Sequence, residues 1–340
     1  MEELTRVAID TSKSVFTLHG TDAQGRAVLR RNLRRKDVIG FFERLSPVEV
    51  ALEACGGSHH WGRTLAALGH QVRLIPPQYV KPFVKRSKND RNDAAAISEA
   101  AGRPDMSTVP VKSAEAQASA MLLSVRELLV RQRTQLVNAL RGHAAEFGLV
   151  AAKGGKGLAE LRREIATDPS LPVAALQALQ LLGLEIDRLE ARLAETDKKL
   201  AAAHKANAQS RRLAQIPGVA LMGALNFSLR VDVSQFQSGR HFAAWLGLVP
   251  KEHSTGGKQR LVSISRAGDE RLRQLLVLGA TAVIRHAKKD RPGTSPWLLD
   301  LLERKPRKVA AIALANKMAR IIWAMMTSGE DYRRPTPAAP

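Results

Sequence analysis

TRVAIDTSKSVFTLHGTDAQGRAVLRRNL, residues 5–33, decides the fold. Residues 5–10, 14–20 and 26–33 read as three strands, and the DAQG between the last two is a hairpin turn signal. Downstream, KDVIGFFERL reads as a helix and VEVALE as a buried strand. SHHWGRTLAALG is a helix that stops at Gly69, QVRLIP is a further strand ended by Pro76 and Pro77, and DRNDAAAISEAA is another helix. The order β-β-β-α-β-α-β-α predicts an α/β domain, a mixed sheet with helices on its faces.

Three hairpin-linked strands followed by α/β units match the ribonuclease-H-like topology. Residues 113–147 form one long helical pattern, with leucines from Leu122 to Leu140 and a polar face carrying Arg126, Arg131, Arg133 and Arg141. AAKGGKG (151–157) reads as a break or flexible loop. Helix resumes over 173–206, where Leu189, Leu193 and Leu200 have coiled-coil-like spacing. An antiparallel helical arm, a dimerising coiled coil and an ordinary bundle all fit that pattern. RRLAQIPGVALMGAL then gives a helix, a Pro-Gly turn and a helix, resembling the helix-hairpin-helix element. There a turn glycine, here Gly218, exposes backbone N–H groups and a helix N-terminus to phosphate; a plain connection between two helices is the alternative. Further helices follow, and DYRRPTPAAP reads as a disordered tail. The expected division is a mixed-sheet domain over 1–110, a helical linker over 111–210, a mainly helical domain over 211–328 and a tail over 329–340.

Two strand patterns end in acids. Asp10 closes one and precedes Thr11 and Ser12; Glu53 closes another. Ligands of open α/β folds bind at the carboxyl ends of strands. Asp90 and Asp93, three apart on a helix, share one face. Carboxylates gathered this way repel one another, and Mg²⁺ or Mn²⁺ relieves the repulsion. Two such ions about 4 Å apart stabilise both oxygens of a phosphoryl transfer. Taken singly, each acid also fits a turn or a helix cap. Asp105 and Glu99 rank below the four.

KEHSTGGKQR (251–260) follows an apolar run ended by Pro250. Gly256 and Gly257 let backbone amides approach a phosphate. A hydroxyl in this loop, from Ser254 or Thr255, can attack phosphorus and form a covalent intermediate. His253 is a general base or a phosphate-positioning group. A passive phosphate-binding loop or a simple turn is the alternative.

Composition bounds the partners. The 340 residues carry a formal net charge of +21, with a pI near 10.8. That excess points to a polyanion, nucleic acid first. Residues 238–340 hold 19 Lys and Arg against 8 Asp and Glu. No apolar run long enough to span a bilayer is expected, and MEELTRVAID carries no signal-peptide pattern. The single cysteine, Cys55, excludes a disulfide framework and a multi-Cys zinc site, and suits a reducing bacterial cytoplasm. Aromatics at 4% disfavour base stacking as the main binding mode. Candidate nucleic-acid contacts are Arg126, Arg133, Arg141, Gly218, Lys251, Lys258 and Arg260.

AIDTSK, ALEACGG and KNDRNDAAAI, followed in order by IPGV, FAAWLGLVPKEHSTGGK and ISRAGDERLR, resemble one family of insertion-sequence transposases. These are the serine-dependent recombinases with a DEDD-type RuvC-like domain that are guided by a bridge RNA. The resemblance runs from about residue 5 to 325. It implies a RuvC-like domain, a helical coiled-coil linker and a transposase domain bearing the nucleophilic serine. It assigns Asp10, Glu53, Asp90 and Asp93 to Mg²⁺ or Mn²⁺. The family motif places a Ser shortly before a Gly in the loop after GLxP, which leaves Ser254 and Thr255. Ser254 is favoured because a primary hydroxyl is less hindered. The resemblance further implies a homo-oligomer, dimer or tetramer, with composite active sites. It also implies a noncoding RNA that pairs with donor and target DNA, and work at the nucleoid. Competing readings are a RuvC-like junction nuclease that uses water, a small-molecule kinase on the actin-like fold, and a non-catalytic nucleic-acid scaffold. Nothing in a small-molecule kinase needs so basic a chain.

Overall fold

The computed structural model describes residues 3–85, 90–258, 260–288 and 295–333. The chain divides into two compact units, Met1–Gln117 and Ala118–Pro340. Of the helical linker expected over 111–210, residues 118–210 are counted with the C-terminal unit.

The first unit is built on a five-stranded sheet of β1 (Arg6–Asp10), β2 (Val15–Thr21), β3 (Ala27–Arg34), β4 (Glu49–Glu53) and β5 (Gln71–Ile75), in the order β3-β2-β1-β4-β5. The β1–β2 and β2–β3 pairs are antiparallel, the β1–β4 and β4–β5 pairs parallel. The helices are α1 (Val38–Phe42), α2 (Ser58–Ala67), α3 (Pro77–Val80) and α4 (Asp90–Ala101).

Side chains alternate across a strand, and the alternation sorts this sheet into two faces. Val7 and Ile9 of β1, with Val50 and Leu52 of β4, are buried among Phe42, Trp61 and Leu65. Ala8 and Ala51 face the other way and are buried with Ile97, Ala100 and Ala101 of α4. Alanines on both surfaces let α4 lie close to the central strands. By the same parity, Asp10 follows Ala8 and Glu53 follows Ala51 onto the α4 side.

In the second unit, α5 (Ala114–Ala145) and α7 (Val173–Ala206) run antiparallel. Their register is marked by the Arg126–Asp197 and Arg133–Glu190 ion pairs. Leu140, Ile186 and the buried face of α6 (Gly155–Thr167) form a core at one end of the pair, and Leu123 and Leu200 one at the other. α6 is absent from the sequence reading because Gly155 and Gly157, taken as part of a break, lie in its first turn. Leu158, Leu161 and Ile165 then recur at helical spacing and are buried. Arg162 holds Asp187 through two hydrogen bonds, of 2.7 and 2.6 Å, and ties α6 to α7.

The remaining helices are α8 (Ala208–Leu213), α9 (Leu221–Arg230), α10 (Gly239–Trp245), α11 (Glu270–His286), α12 (Pro296–Arg304) and α13 (Arg307–Ser328). A two-stranded hairpin, β6 (Pro250–Glu252) and β7 (Leu261–Ile264), lies between α10 and α11. α13 is long and apolar enough to cross a bilayer by length and composition, contrary to the expectation of no such run. Its buried residues, among them Ala315, Met318 and Ile322, instead belong to the core of this unit. Of the tail expected over 329–340, residues 334–340 lie outside the described residues.

Two expectations about nucleic-acid contacts meet an internal explanation. Arg126 and Arg133 are paired as above, and Arg141 donates to the carbonyl oxygens of Ala151 and Ala152, both at 2.8 Å. A guanidinium beside a carboxylate presents little net charge to an outside phosphate. Gly218, at φ +86°, packs backbone to backbone on α11. A Cβ on Gly218 would lie 2.7 Å from the Gly279 carbonyl oxygen, and one on Gly279 would lie 2.0 Å from that of Gly218. Close packing on α11 accounts for this glycine without a phosphate. Gly279→Ala is expected to destabilise the protein by about 1–3 kcal/mol, as overpacking against rigid backbone does. Equilibrium denaturation in urea checks this; an unchanged midpoint would contradict the packing role.

Candidate active site

The strand and helix geometry brings three of the four predicted acids together. Asp10 ends β1, and Asp90 and Asp93 stand in the first turn of α4. One carboxylate oxygen from each lies within 4.8 Å of the others. Glu53 ends β4, next to Asp10 across the parallel β1–β4 pair. It stands outside that tight group but feels the charge of Asp93. Asp10 and Glu53 are half-buried and Asp90 is exposed. The loops after the two strands meet where Thr11 Oγ1 lies 3.5 Å from Cys55 Sγ. Of the two lower-ranked acids, Glu99 is paired with Arg103 at 2.6 Å and Asp105 is exposed.

The electrostatics follow from this crowding. Burial, then the charges of Asp93, Asp90 and Glu53, push the Asp10 carboxyl up to about 6, against a partial offset from the Thr11 N–H. Glu53 is raised as well, by burial and then by Asp93. Asp10 is thus the centre of the repulsion. Three carboxylate oxygens this close, with a fourth acid beside them, are the all-oxygen donor set that hard divalent cations take. The site fits a metal ion.

In the second unit, the KEHSTGGK stretch is a β-hairpin rather than a loose loop. Glu252 pairs with Leu261, the His253 N–H donates to the Arg260 carbonyl at 2.8 Å, and the Lys258 N–H donates to the Thr255 carbonyl at 3.1 Å. Gly256 and Gly257 fill the two turn positions at φ +57° and +77°, the double positive φ that a two-residue hairpin turn of this hand requires.

This hairpin fixes the hydroxyl. Ser254 Oγ donates to Glu252 Oε1 at 2.7 Å and accepts from the Arg260 N–H at 3.2 Å. Glu252 and Ser254 are two residues apart on an extended chain and so share a face, with His253 turned to the other. Glu252 is the functional candidate that the sequence reading missed. Its signal was the E-x-S spacing, invisible until the segment is known to be extended. Thr255 sits at the turn, and no hydrogen bond of its hydroxyl occurs among the described residues. Lys251, Lys258 and Arg260 are exposed and without an ion pair among the described residues.

A sheet of this order with carboxylates at its edge, joined to a mainly helical unit, is the make-up of a RuvC-like transposase. Residues 7–147 match the family model of a DEDD-type transposase, and residues 210–293 match the model described as "Transposase IS116/IS110/IS902 family". A putative transposase of Sinorhizobium fredii is 52% identical over 98% of this chain and 87% of its own length. A probable family 20 transposase of Pseudomonas aeruginosa is 47% identical over 97% and 99%. The transposase for insertion sequence element IS1111A of Coxiella burnetii is 40% identical over 98% and 92%. The chain belongs to the IS116/IS110/IS902 family of insertion-sequence transposases, enzymes whose substrate is DNA.

The raised Asp10 pKa has a stability consequence. Its folded value lies above the ordinary 3.8, so its contribution is fully present below that value and is lost as pH rises through about 6. Metal-free Asp10→Asn is therefore expected to melt above the wild type at pH 7.5, with the gap closing toward pH 3.8. Melting temperatures recorded in chelator across this range check it; a variant less stable than wild type at pH 7.5 would contradict it.

Proposed function

We propose that this transposase cuts and rejoins DNA through a covalent phosphoserine formed on Ser254, with a Mg²⁺- or Mn²⁺-binding site made of Asp10, Asp90, Asp93 and Glu53. The observation that carries this reading is the 2.7 Å hydrogen bond from the Ser254 hydroxyl to Glu252, at the end of a hairpin whose cations make no ion pair among the described residues. A hydroxyl poised on a carboxylate is the arrangement of an activated nucleophile.

The step balances as follows. Ser254 Oγ attacks the scissile phosphorus as its proton passes to Glu252 Oε1. The bond from phosphorus to the leaving DNA oxygen breaks, and that oxygen takes a proton from solvent water. The diester is thereby stored on the serine, and a DNA hydroxyl reverses the exchange to join the new strand. The Arg260 N–H, held by the hairpin pairing, keeps the serine oxygen in place. Bound metal supplies charge neutralisation at the phosphate; without it the four acids would repel that phosphate.

The acids stand in one unit and the serine in the other, and this reading joins them in composite sites of a homo-oligomer. The net charge of +21 supports contact with both donor and target DNA and with a guiding noncoding RNA, at the bacterial nucleoid. We further read 1–110 as the RuvC-like domain, 111–210 as the helical linker and 211–328 as the transposase domain.

The test is capture of a denaturant-resistant protein–DNA adduct. Wild type and Thr255→Ala are expected to form it and Ser254→Ala to form none. Glu252→Gln is expected to slow its formation by about 10²–10⁴-fold, the usual worth of general-base help. An adduct on Thr255 alone would move the nucleophile. DNA cleavage with no adduct in any variant would favour the water-using nuclease.

A further inference from the structure

The second unit contains a cleft of about 1450 Å³ between the start of α10, the length of α13, the start of α12 and the base of the β6–β7 hairpin. That exceeds the roughly 300–1,000 Å³ of an ordinary small-molecule site. Five cations line it, Arg240, Arg266, Lys308, Lys317 and Arg320, and no acid does among the described residues. Lys317 lies over the Trp297 ring, 4.3 Å from its centre. The other four make no ion pair among the described residues. This contrasts with α5, where Arg126 and Arg133 are paired with carboxylates.

Between the cations the lining is apolar, from Val262 and Ile264 on the hairpin and Val309 and Ile312 on α13, with Trp297 beside them. Cations set around apolar and aromatic surface suit a single strand, with phosphates on the charges and unstacked bases on the rest. A duplex turns its phosphates outward and leaves such a floor unused.

Arg266 adds an independent sign. At φ 56° it is the one non-glycine residue with positive φ among the described residues. Its backbone is fixed there: its N–H donates to the Gly247 carbonyl, the Ser265 N–H to that of Val249, and the buried Arg273 guanidinium to those of Leu246 and Ala267. Glycine would hold this conformation without strain. An arginine kept in it, with its side chain on the cleft, is the pattern of strain retained for function. The hairpin leads from Pro250 on the cleft wall to Ser254 four residues on, roughly 13 Å at the rise of a strand.

We propose that this cleft seats a single-stranded segment of the DNA substrate beside the attacked phosphate. Arg240, Arg266, Lys308 and Arg320 take its phosphates and Trp297 takes a base. The choice of DNA over RNA rests on the phosphoserine reading, because the cleft wall is the hairpin that carries Ser254.

The test is binding of a fluorescent oligothymidylate to the full-length protein over a salt series. Arg240→Ala and Arg266→Gly are each expected to weaken binding and to reduce the slope of log affinity against log salt by about 0.7, one phosphate contact on a single strand. Trp297→Ala is expected to weaken binding roughly fivefold or more. Arg126→Ala is expected to bind as wild type. Arg266→Gly relieves the positive-φ strain, so its melting temperature is expected to stay at or above the wild-type value, separating a lost contact from a lost fold. Unchanged slope and affinity in both arginine variants would overturn the proposal. So would cleft variants that weaken an oligouridylate RNA and not the DNA. Recombination by Ser254→Ala, scored separately, would sink the phosphoserine reading while the cleft-dependent DNA affinity still supported the cleft.

Discussion

The mutual repulsion of carboxylates gathered at one sheet edge is the constraint on which the first unit turns. Asp10 and Glu53 are carried there by strand parity, and Asp90 and Asp93 by a helix that must lie close to the sheet to arrive. The closeness comes from Ala8 and Ala51 beneath α4 and from Ala100 and Ala101 within it. A larger side chain at those positions would lift the helix and spread the acids. The packing therefore does electrostatic work against the site: it buries Asp10 and forces charges together, and so raises the Asp10 carboxyl to about 6. A fold that maintains such repulsion has a cation as its natural complement.

Positive charge is distributed on the opposite principle. Much of the arginine on α5 and α6 is spent inside the second unit: Arg126 on Asp197, Arg133 on Glu190, Arg162 on Asp187, and Arg141 on two carbonyls. Glu127 alone receives both Arg230 and Arg271. Lys251, Lys258 and Arg260 on the hairpin and Arg240, Arg266, Lys308 and Arg320 around the cleft at its base make no ion pair among the described residues. Formal charge on the chain thus overstates what these paired arginines offer to nucleic acid.

Much of the first unit was legible in the sequence because its signals are local. The three opening strands appear within one residue of their expected bounds, and the acids at β1 and β4 close apolar runs. What escaped depends on residues far apart. The partners of Arg126 and Arg133 lie 71 and 57 positions away. The reason for Gly218 is another glycine, Gly279, in a later helix. The β6 strand is three exposed residues with no apolar alternation to betray it, so the Glu252–Ser254 pair on one face could not be read. The cleft draws on residues from Ser238 to Ala324, which no sequence window contains.

The claim that the sheet edge is a metal site meets its most direct test in a titration of the full-length, metal-free protein with Mn²⁺, followed by electron paramagnetic resonance at pH 7.5. Saturable binding by the wild type, weakened roughly tenfold or more in Asp93→Asn, is the predicted result. Equal Mn²⁺ affinity in wild type, Asp10→Asn and Asp93→Asn would contradict it.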